Sequence, residues 1–519
     1  MAQNWSKTLP RVPSSFVVTL CAIALSAPFT NQAADYFVAP HGNPQGNGSR
    51  QRPWDLPTAL THPPAVQPGD TIWLDQGTYP AALVSDLHGI AERPITLRQL
   101  PGRRATLDFA LGGNQDKVLL IRGDHVTFWG FEVTCSDSKR VSAFAGSWPE
   151  DIRRGSIHCR ASHVKLINLA IHDTANGIGL WAEGEAGEVY GSLIYHNGWR
   201  GPDRGHGHAI YAQNSRGMKQ LVDNVLFRQF DCGIHVYGSQ NSSIEGFNVE
   251  GNAAFDNGSL HVAGSRAWNI LVGGGSPARR IAVISNFLYH STAGTTAQLG
   301  YSAANGDLVC RANYLVGASA FHLWSELAVT QNTFVGPNTL VRLVVADEAA
   351  LGNYDWHGNS YRSTEQTYVR LGVYTPKGDL LHGWGAWRDR GRLDQDGTYV
   401  EGPMDGVEVF IRPNRYEPGR AHVVVFNWDE LDTVTVDLRD VLKIGQEYKI
   451  VSAQNFFGAP LAKGVYDGNA VQVPMQPIAT ELPVGLEKEP PVGTRPRFDV
   501  LVVLPVTNDA SNDELNRDP

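Results

Sequence analysis

A repeating segment runs from residue 164 to residue 335 and begins Val164-Lys-Leu-Ile-Asn-Leu-Ala-Ile-His172. One short phrase recurs through it: an Asn or Ser, then two or three apolar residues, then polar ones. The repeats start at Asn168, Ser192, Asn224, Asn252, Asn286, Asn313 and Asn332, about 19 to 34 residues apart. A unit this short cannot bury its own apolar face, so successive units must stack on one another as in a solenoid.

The spacing of the apolar residues gives the type of solenoid. Apolar and polar positions alternate in runs of three to five, with Gly, Asn and Asp between the runs, and no helical period is present. Short parallel strands joined by tight turns predict a β-helix. One Asn per coil suits a turn, where its side chain can bond backbone groups and the amide of the next coil.

The same alternation predicts which side chains face outward. The segments that carry it are residues 177–181, 209–213 and 233–237, with 259–263 and 320–324 as weaker members. The first outward column is predicted to hold Gly179, Tyr211, His235, His261 and His322, and the second Trp181, Gln213, Tyr237, Ala263 and Trp324. Because adjacent coils lie about 4.8 Å apart, these columns would form a wall of His, Tyr and Trp that suits an extended sugar chain.

The amino terminus predicts export. Residues 1–34 read as a signal peptide, in which Lys7 and Arg11 precede an apolar core at residues 16–25. That core is too short to span a bilayer, so we expect a periplasmic or extracellular protein without a membrane span. We also expect a monomer. The net charge of −9 argues against nucleic acid as a partner.

The next segment carries a family resemblance. Pro53-Trp54 precedes a short amphipathic stretch at residues 56–60, and Gly69-Asp-Thr-Ile-Trp73 follows. This order resembles the entry region of right-handed parallel β-helix proteins of the pectate lyase-like superfamily. The resemblance implies that residues 56–60 form a helix capping the open end of the core, and that Gly69-Asp-Thr-Ile begins the coils. It covers residues 36–360 and is specific for the fold rather than the reaction.

We therefore predict an all-β chain with two folded parts. A right-handed parallel β-helix with its amino-terminal cap spans 35–376, a connector follows at 377–404, and a small antiparallel β-sandwich spans 405–506. Residues 507–519 form a polar, disordered tail. The four cysteines outside the predicted signal peptide, Cys135, Cys159, Cys232 and Cys310, are too few for a disulfide scaffold. Cys135 and Cys159 could pair, or all four could lie in the stack as small apolar residues.

The best candidate for chemistry is the insertion at residues 196–208, about eight residues longer than the matching segments of the neighbouring coils. It concentrates His, Arg, Asp and Trp beside the outward columns; the alternative is a solvated loop packed on its own Trp. The predicted catalytic residues are His208, Arg204, Tyr211, His235, Arg200 and His206. The predicted substrate-binding residues are Tyr237, His261, Trp181, His172, His196, Trp199 and Asp203.

Two further patterns involve titratable side chains. His172, His196, Arg228, Asp256 and His290 each stand four residues after a ladder Asn or Ser, which predicts a stack near a turn. A histidine at a turn is often only a capping group, but His172 and His196 lie close to the insertion. His206 and His208 with Asp203 could bind a metal, although no further ligand has supporting spacing, so the presence of a metal stays open.

A polysaccharide lyase acting on a uronic-acid polymer is the leading function. β-Elimination needs a cation to neutralise the uronate carboxylate, a base for the C5 proton and an acid for the leaving oxygen. Arg200 or Arg204 could supply the first, His208 or His235 the second, and Tyr211 or Tyr237 the third. The resemblance agrees, since pectate lyase-like enzymes commonly use Lys, Arg, His or Tyr in this way. Some of them use calcium, so Ca²⁺ is the cofactor the resemblance allows.

Three alternatives stay open. Gly205-His206-Gly207 resembles a motif of the polygalacturonases, but their Asn-Thr-Asp, Asp-Asp and Arg-Ile-Lys elements are missing. A hydrolase also needs two carboxyl groups about 5–9 Å apart, for which Asp173, Asp203 and Asp231 are the candidates. A uronate C5-epimerase would share the first step of the lyase. A glycan-binding β-helix without catalysis would need only the aromatic wall. The sequence names neither the polymer nor the mode of cleavage.

Overall fold

A computed structural model describes residues 33–111, 117–260, 268–292, 294–337, 339–364, 371–486, 488–489 and 491–506. The predicted signal peptide up to residue 32, the tail from residue 507, and His261 and Ala263 lie outside these ranges. No helix in the described part of the chain has the length and apolar character needed to cross a bilayer.

Three twelve-stranded sheets form the body of the protein, and from Thr71 to Thr375 the chain visits sheets 1, 2 and 3 in turn, once per coil. Sheet 1 contains Asp35–Val38, Thr71–Leu74, Ile95–Gln99, Val126–Trp129, Lys165–Ile167, Glu188–Tyr190, Lys219–Val222, Ile244–Glu250, Ala278–Ile284, Asn305–Arg311, Trp324–Thr330 and Tyr354–His357. Sheet 2 contains Gly77–Pro80, Ala105–Asp108, Glu132–Thr134, Ala170–His172, Leu193–Tyr195, Val225–Phe227, Ala253–Phe255, Phe287–Tyr289, Tyr314–Val316, Thr333–Gly336, Ser360–Ser363 and Thr398–Glu401. Sheet 3 contains Val84–Ser85, Leu119–Ile121, Ile157–Cys159, Ile178–Leu180, Ile210–Ala212, Ile234–Val236, Ile270–Val272, Thr295–Leu299, Ala318–His322, Val341–Val344, Leu371–Thr375 and Gly378–His382.

The predicted parallel β-helix is confirmed by this pairing. Neighbouring strands are parallel throughout the three sheets, except for the last pair of sheet 3, which is antiparallel. Crossovers between parallel strands of one sheet are right-handed in nearly all proteins. The inward side chains of all three sheets form one continuous apolar core along the solenoid.

Both ends of the solenoid are covered, as unpaired strand edges require. At the amino-terminal end, the helix Leu56–Leu60 begins at Asp55, whose side chain accepts a hydrogen bond from the Thr58 amide. At the other end, the helix Gly383–Asp389 buries Trp387 in the core. The segment 377–404, predicted as a connector, thus also supplies the final strands of sheets 2 and 3.

The predicted asparagine ladder is present before the strands of sheet 2. In each step a backbone amide donates to the side-chain oxygen of the next coil, as from Asn224 to Asn252 at 3.0 Å and from Asn252 to Asn286 at 3.0 Å. The members are Ser192, Asn224, Asn252, Asn286, Asn313, Asn332 and Asn359, and Asp394 ends the series. Each rung satisfies a buried amide, so the ladder fixes the register of the coils.

The first repeat differs from the sequence prediction by one residue. Ala170 pairs with Leu193, so Leu169 rather than Asn168 lies opposite Ser192. Asn168 has a left-handed φ of 52° and donates a hydrogen bond to Glu417. As a result His172 lies opposite Tyr195, and the predicted stack of His172 on His196 is wrong.

The carboxyl-terminal part consists of small antiparallel sheets, as predicted. The larger sheet contains Val407–Pro413, Ala421–Asn427, Phe498–Pro505, Glu447–Ser452 and Ala462–Val465, and the smaller Thr433–Val436 and Val471–Pro474. One face of the larger sheet packs on the outer face of sheet 2, where Tyr289 stacks on Phe498 at 4.4 Å between ring centres. The middle of the outer face of sheet 2, from Leu193 to Val335, is therefore buried. Two short 3₁₀ helices span Glu348–Asn353 and Ala453–Asn455.

None of the four cysteines in the described ranges forms a disulfide, and all four are buried. The pairing of Cys135 with Cys159 is therefore not formed. The alternative expectation, burial in the stack, describes these four residues.

Candidate active site

The outer face of sheet 3 carries part of the predicted wall of aromatic and imidazole side chains. Strand pairing places Gly179, Tyr211 and His235 on successive coils, as expected from the alternation. The next position belongs to Leu271, because the strand paired with Ile234–Val236 is Ile270–Val272 rather than residues 259–263. His261, predicted for that position, lies outside the described residues.

The carboxyl-terminal end of the predicted column is also different. Strand Ala318–His322 pairs so that Ala320 lies opposite Gln298 and Arg342, in the first outward column. His322 lies two residues further on, opposite Val344, and Trp324 is buried at the start of a strand of sheet 1. The strand starts two residues earlier than the apolar pattern indicated, and its pairing contains a bulge between Thr295 and Ala297.

The insertion forms one wall of a groove over this face. Its strands Trp199–Arg200 and Gly205–His206 pair as a small antiparallel hairpin. A side chain at Gly207, whose φ is 101°, would meet the Gly198 Cα at 2.3 Å, so the base of the hairpin needs glycine. A second loop, residues 136–155, lies against the hairpin, with the Ser142 amide donating to the Arg200 carbonyl at 2.8 Å.

Two adjoining depressions, of about 270 and 560 Å³, lie between this wall and the strands. The residues lining both are Ser147, Arg204, His208, Tyr211 and Asp231. Trp181 and His206 line the smaller depression, and His235 and Tyr237 line the larger one. The structure thus brings most of the residues predicted for catalysis or binding into one groove.

His208 and His235 form a hydrogen-bonded pair at the centre of the groove. His208 Nε2 lies 3.1 Å from His235 Nδ1, and the Cys232 amide donates to His208 Nδ1 at 3.4 Å. Since an amide can only donate, the neutral His208 ring carries its proton on Nε2 and directs it at His235. Burial, with Arg204 and His206 nearby, lowers the pKa of His208 to about 3. Burial and His208 hold the pKa of His235 well below its usual value, so both rings are neutral at pH 7.

Tyr211 stands beside the pair with the opposite protonation behaviour. Its ring lies 5.8 Å from that of His208 and meets the ring of His235 edge-on at 5.2 Å. Burial raises the pKa of Tyr211 above its usual value. Its phenol therefore stays protonated at neutral pH and can donate a proton.

The two arginines of the hairpin lie in different surroundings. Arg204 is exposed at the groove and forms no ion pair with any residue in the described ranges; its Nε lies 3.4 Å from His206 Nδ1. Arg200 forms an ion pair with Glu489 at 2.9 Å and donates to the Leu260 carbonyl at 3.1 Å. Arg200 lines neither depression, so its predicted catalytic role does not fit the structure.

The other members of the insertion support the wall. His206 Nε2 lies 3.0 Å from an Asp203 carboxylate oxygen, and its ring stacks on Trp199 at 5.0 Å. Trp199 is buried between His206 and Trp148, so it positions the hairpin rather than offering an open face to sugar. Asp203 is exposed and lines the larger depression.

His172 and His196, both predicted to bind substrate, lie elsewhere. His172 lies on sheet 2, with Glu132 and Asp173 each at 2.9 Å, and Phe457 of the carboxyl-terminal part packs near it. His196 is fully buried at the following turn. The hairpin leaves the end of sheet 2 and returns to sheet 3, so the residues before it stay away from the groove.

Among the described residues, the side chains that could hold a metal in the groove differ from the predicted set. Donor atoms of His208, Cys232 and His235 all lie within 4.8 Å of one another, and Asp203 and His206 are not in that set. However, a metal on His208 Nε2 would leave the proton on Nδ1, which faces the Cys232 amide donor. The geometry therefore fits a hydrogen-bonded pair better than a pair of metal ligands. Calcium prefers oxygen ligands and does not suit this nitrogen and sulfur set.

Sequence reasoning missed the groove residues that come from other loops. Trp268 and Tyr301 border the larger depression, and Ser147 and Trp148 come from the loop 136–155. Only the length of that loop and its Trp were visible in the sequence. Neither the length of the loop nor its Trp predicts which coil the loop covers.

No protein-family model matches the sequence, and no curated protein is detectably similar to it. Several solved structures resemble the fold. A pectate lyase, Pel9A, has 19% identity and a TM-score of 0.43, over 63% of this chain and 79% of its own. A rhamnogalacturonan lyase has 15% identity and a TM-score of 0.45, over 60% and 82%. A GH136 lacto-N-biosidase from Eubacterium ramulus has 15% identity and a TM-score of 0.37, over 71% and 67%. At these scores the reaction must be argued from the groove itself.

Proposed function

We propose that the chain is a carbohydrate-active enzyme, and specifically a lyase that cleaves a uronic-acid-containing polysaccharide by β-elimination. One observation carries the proposal: an exposed arginine without an ion-pair partner in the described residues, Arg204, shares a groove with a neutral imidazole pair and a protonated phenol. These are a cation, a base and an acid, which the reaction needs together.

The chemistry balances with these groups. Arg204 pairs with the uronate carboxylate, which makes the C5 proton more acidic. The histidine pair takes that proton, the C5 electrons form the C4–C5 double bond, and the C4–O4 bond breaks. Tyr211 gives its phenolic proton to the leaving O4. The charge states are those that the reaction requires, since the low pKa of the histidines leaves both rings neutral and the raised pKa of Tyr211 keeps its phenol protonated.

The tautomer of the pair decides which nitrogen can act. While His208 donates to His235 Nδ1, the neutral His235 carries its proton on Nε2. A basic His235 Nε2 requires the protons of both rings to move by one nitrogen through solvent. This exchange breaks the hydrogen bond from the Cys232 amide to His208 Nδ1, which is already long at 3.4 Å. A bound uronate also favours proton uptake, because its negative charge raises the pKa of a nearby imidazole.

A glycoside hydrolase is the second candidate, because Asp203 and Asp231 line the same depression. Asp173, the third predicted carboxylate, is excluded by its burial against Arg140 at 2.9 Å. A C5-epimerase would use the same proton abstraction as the lyase. A non-catalytic glycan binder would not require the neutral histidine pair. Export, the signal peptide and a monomeric state stay predictions from the sequence.

The test is to incubate the purified protein with pectate, alginate and glycosaminoglycans and to follow the ultraviolet absorbance of unsaturated uronates. We expect absorbance with one of these polymers and a loss of at least about a hundredfold in rate for Arg204→Ala. Arg216→Ala is the matched control, since Arg216 is an exposed arginine that pairs with Glu185 away from the groove. New reducing ends without absorbance would instead establish hydrolysis.

A further inference from the structure

The groove continues beyond the two central depressions. A third depression, of about 660 Å³, lies toward the amino-terminal coils, over Leu120 and His158 on neighbouring strands of sheet 3. Trp148 and Trp181 line both this depression and the smaller central one. The three depressions therefore form one groove, and we call the amino-terminal part the distal arm.

Trp181 forms the floor where the arm begins. A side chain at Gly179 would come within 3.1 Å of the Trp181 Nε1, so the glycine lets the indole lie over the sheet. The edge of the ring meets His158 at 5.3 Å. Its buried Nε1–H has no acceptor among the described residues. The floor thus offers an aromatic surface together with an unused hydrogen-bond donor.

Trp148 forms the opposite side of the arm. It is 51% exposed, and its ring is supported by Trp199 at 5.5 Å and by the Arg154 guanidinium at 5.2 Å. Phe144 on the same loop is 61% exposed. Large aromatic side chains held rigidly at the edge of a groove are typical of ligand-binding surfaces.

The charges of the arm are positive. Arg154 lines it and donates to the Pro149 carbonyl at 2.9 Å, with no carboxylate partner in the described ranges. Arg160 also lines it and reaches Glu183 only at 3.8 Å, with both side chains exposed. Such an exposed pair is weak and can be exchanged for another carboxylate. Two arginines beside two tryptophans suit a sugar ring that carries an acid group.

We propose that the distal arm is a binding site for a carboxylate-bearing sugar unit of the polymer. Trp181 and Trp148 contact the faces of the ring, and Arg160 and Arg154 pair with its carboxylate. This inference rests on the proposed function, since it concerns another sugar unit of the same polysaccharide that is cleaved next to His235. It assigns roles to Trp148, Arg154 and Arg160, and predicts that the enzyme favours long substrates.

The experiment measures binding as a function of ligand length by calorimetry. The full-length chain carrying His235→Ala keeps ligands intact, and the probes are the disaccharides and hexasaccharides of galacturonate and of alginate. One hexasaccharide should bind at least about tenfold more tightly than its disaccharide, and this gain should disappear in Trp148→Ala and in Arg160→Ala. Trp73→Ala and Arg216→Ala are the controls on other surfaces and should keep the gain.

Each other result has a defined meaning. An equal gain in affinity with ligand length in all four variants, or no binding of either hexasaccharide, would overturn the proposed role of the distal arm. If polymers give unsaturated products but binding shows no dependence on length, the arm fails and the lyase stands. If no polymer is cleaved but the gain is abolished only in Trp148→Ala and Arg160→Ala, the arm stands and the lyase fails.

Discussion

The outer faces of sheets 2 and 3 are built from the same coils but have opposite surroundings. On sheet 2, Phe227, Phe255 and Tyr289 are buried under the larger sheet of the carboxyl-terminal part. On sheet 3, Tyr211 and His235 border an open groove. Both faces carry aromatic and imidazole side chains in vertical columns, so composition does not distinguish them. What differs is whether another part of the chain covers the face.

Histidines on the two faces show the consequence. Burial alone would lower the pKa of His172, but its hydrogen bonds to Asp173 and Glu132 raise it to about 9. Burial also governs His208, which has no carboxylate partner among the described residues to offset it, and its pKa falls to about 3. His172 is therefore a fixed cation in a buried ion network, whereas His208 is neutral in the groove. A histidine that is hydrogen-bonded to carboxylates stays protonated and has a structural role, whereas a histidine without such partners is neutral and can accept a proton.

The largest expected effect is a loss of activity when a histidine of the open face is replaced. His235→Ala should lower kcat/KM by about 10²–10⁴-fold, because it removes the group that accepts the C5 proton. The measurement is the rate of ultraviolet absorbance on the polymer identified in the screen. His357→Ala, at an exposed histidine of sheet 1, is the control and should keep the wild-type rate. Retention of activity by His235→Ala would assign the base elsewhere.

The second effect concerns stability on the covered face. Glu132 accepts from Arg104 at 2.7 Å and from Thr106 at 2.5 Å, and it lies 2.9 Å from His172. Glu132→Gln leaves the buried His172 cation with one carboxylate fewer, which should lower the free energy of unfolding by about 3 kcal/mol. Denaturant unfolding measures it. An unchanged midpoint would show that the network contributes no net stability.

A third variant would give the groove the electrostatics of the covered face. Leu271 follows His235 in the outward column and lines the same depression. Leu271→Asp places a negative charge beside the site of the anionic uronate, so it should raise the pKa of His235 and should reduce activity at pH 7 by about tenfold or more through repulsion of the substrate. Leu271→Asn is the neutral control of the same shape. Equal activity of the two variants would rule out charge as the cause.

The fourth effect is a pH dependence of stability. The folded pKa of His172, about 9, exceeds its unfolded value, so its contribution is complete below pH 6.5 and disappears as the pH rises through 9. The free energy of unfolding should therefore fall above pH 7 by up to about 1.4 kcal/mol per pH unit. Denaturant melts at several pH values measure this slope. The slope should vanish in His172→Gln; if it persists there, another group is responsible.

The smallest effect is expected at Arg200. Its ion pair with Glu489 is partly exposed and lies outside both central depressions, so Arg200→Ala should keep kcat/KM within about twofold. The same assay on Arg204→Ala provides the contrast. A comparable loss in both variants would mean that the hairpin acts as a unit and that Arg204 has no separate role.

Local sequence patterns were enough to predict the coil architecture and part of the groove. Alternation of apolar residues and one Asn per coil are local signals, and they correctly placed Tyr211 and His235 on one outer face. The resemblance at residues 56–60 correctly predicted the capping helix. These features follow from backbone geometry, because successive side chains of a strand point to opposite faces of the sheet whatever surrounds it.

Long-range packing determines which face is open and which side chains meet there. The loops between strands vary in length, so the sequence placed the coil after His235 at residues 259–263, and the true strand starts at Ile270. His172 lies on sheet 2, away from the groove and next to Phe457 of the carboxyl-terminal part, whereas the loop 136–155 brings Trp148 into the groove. Such contacts join residues far apart in the chain and depend on packing, which no local pattern encodes.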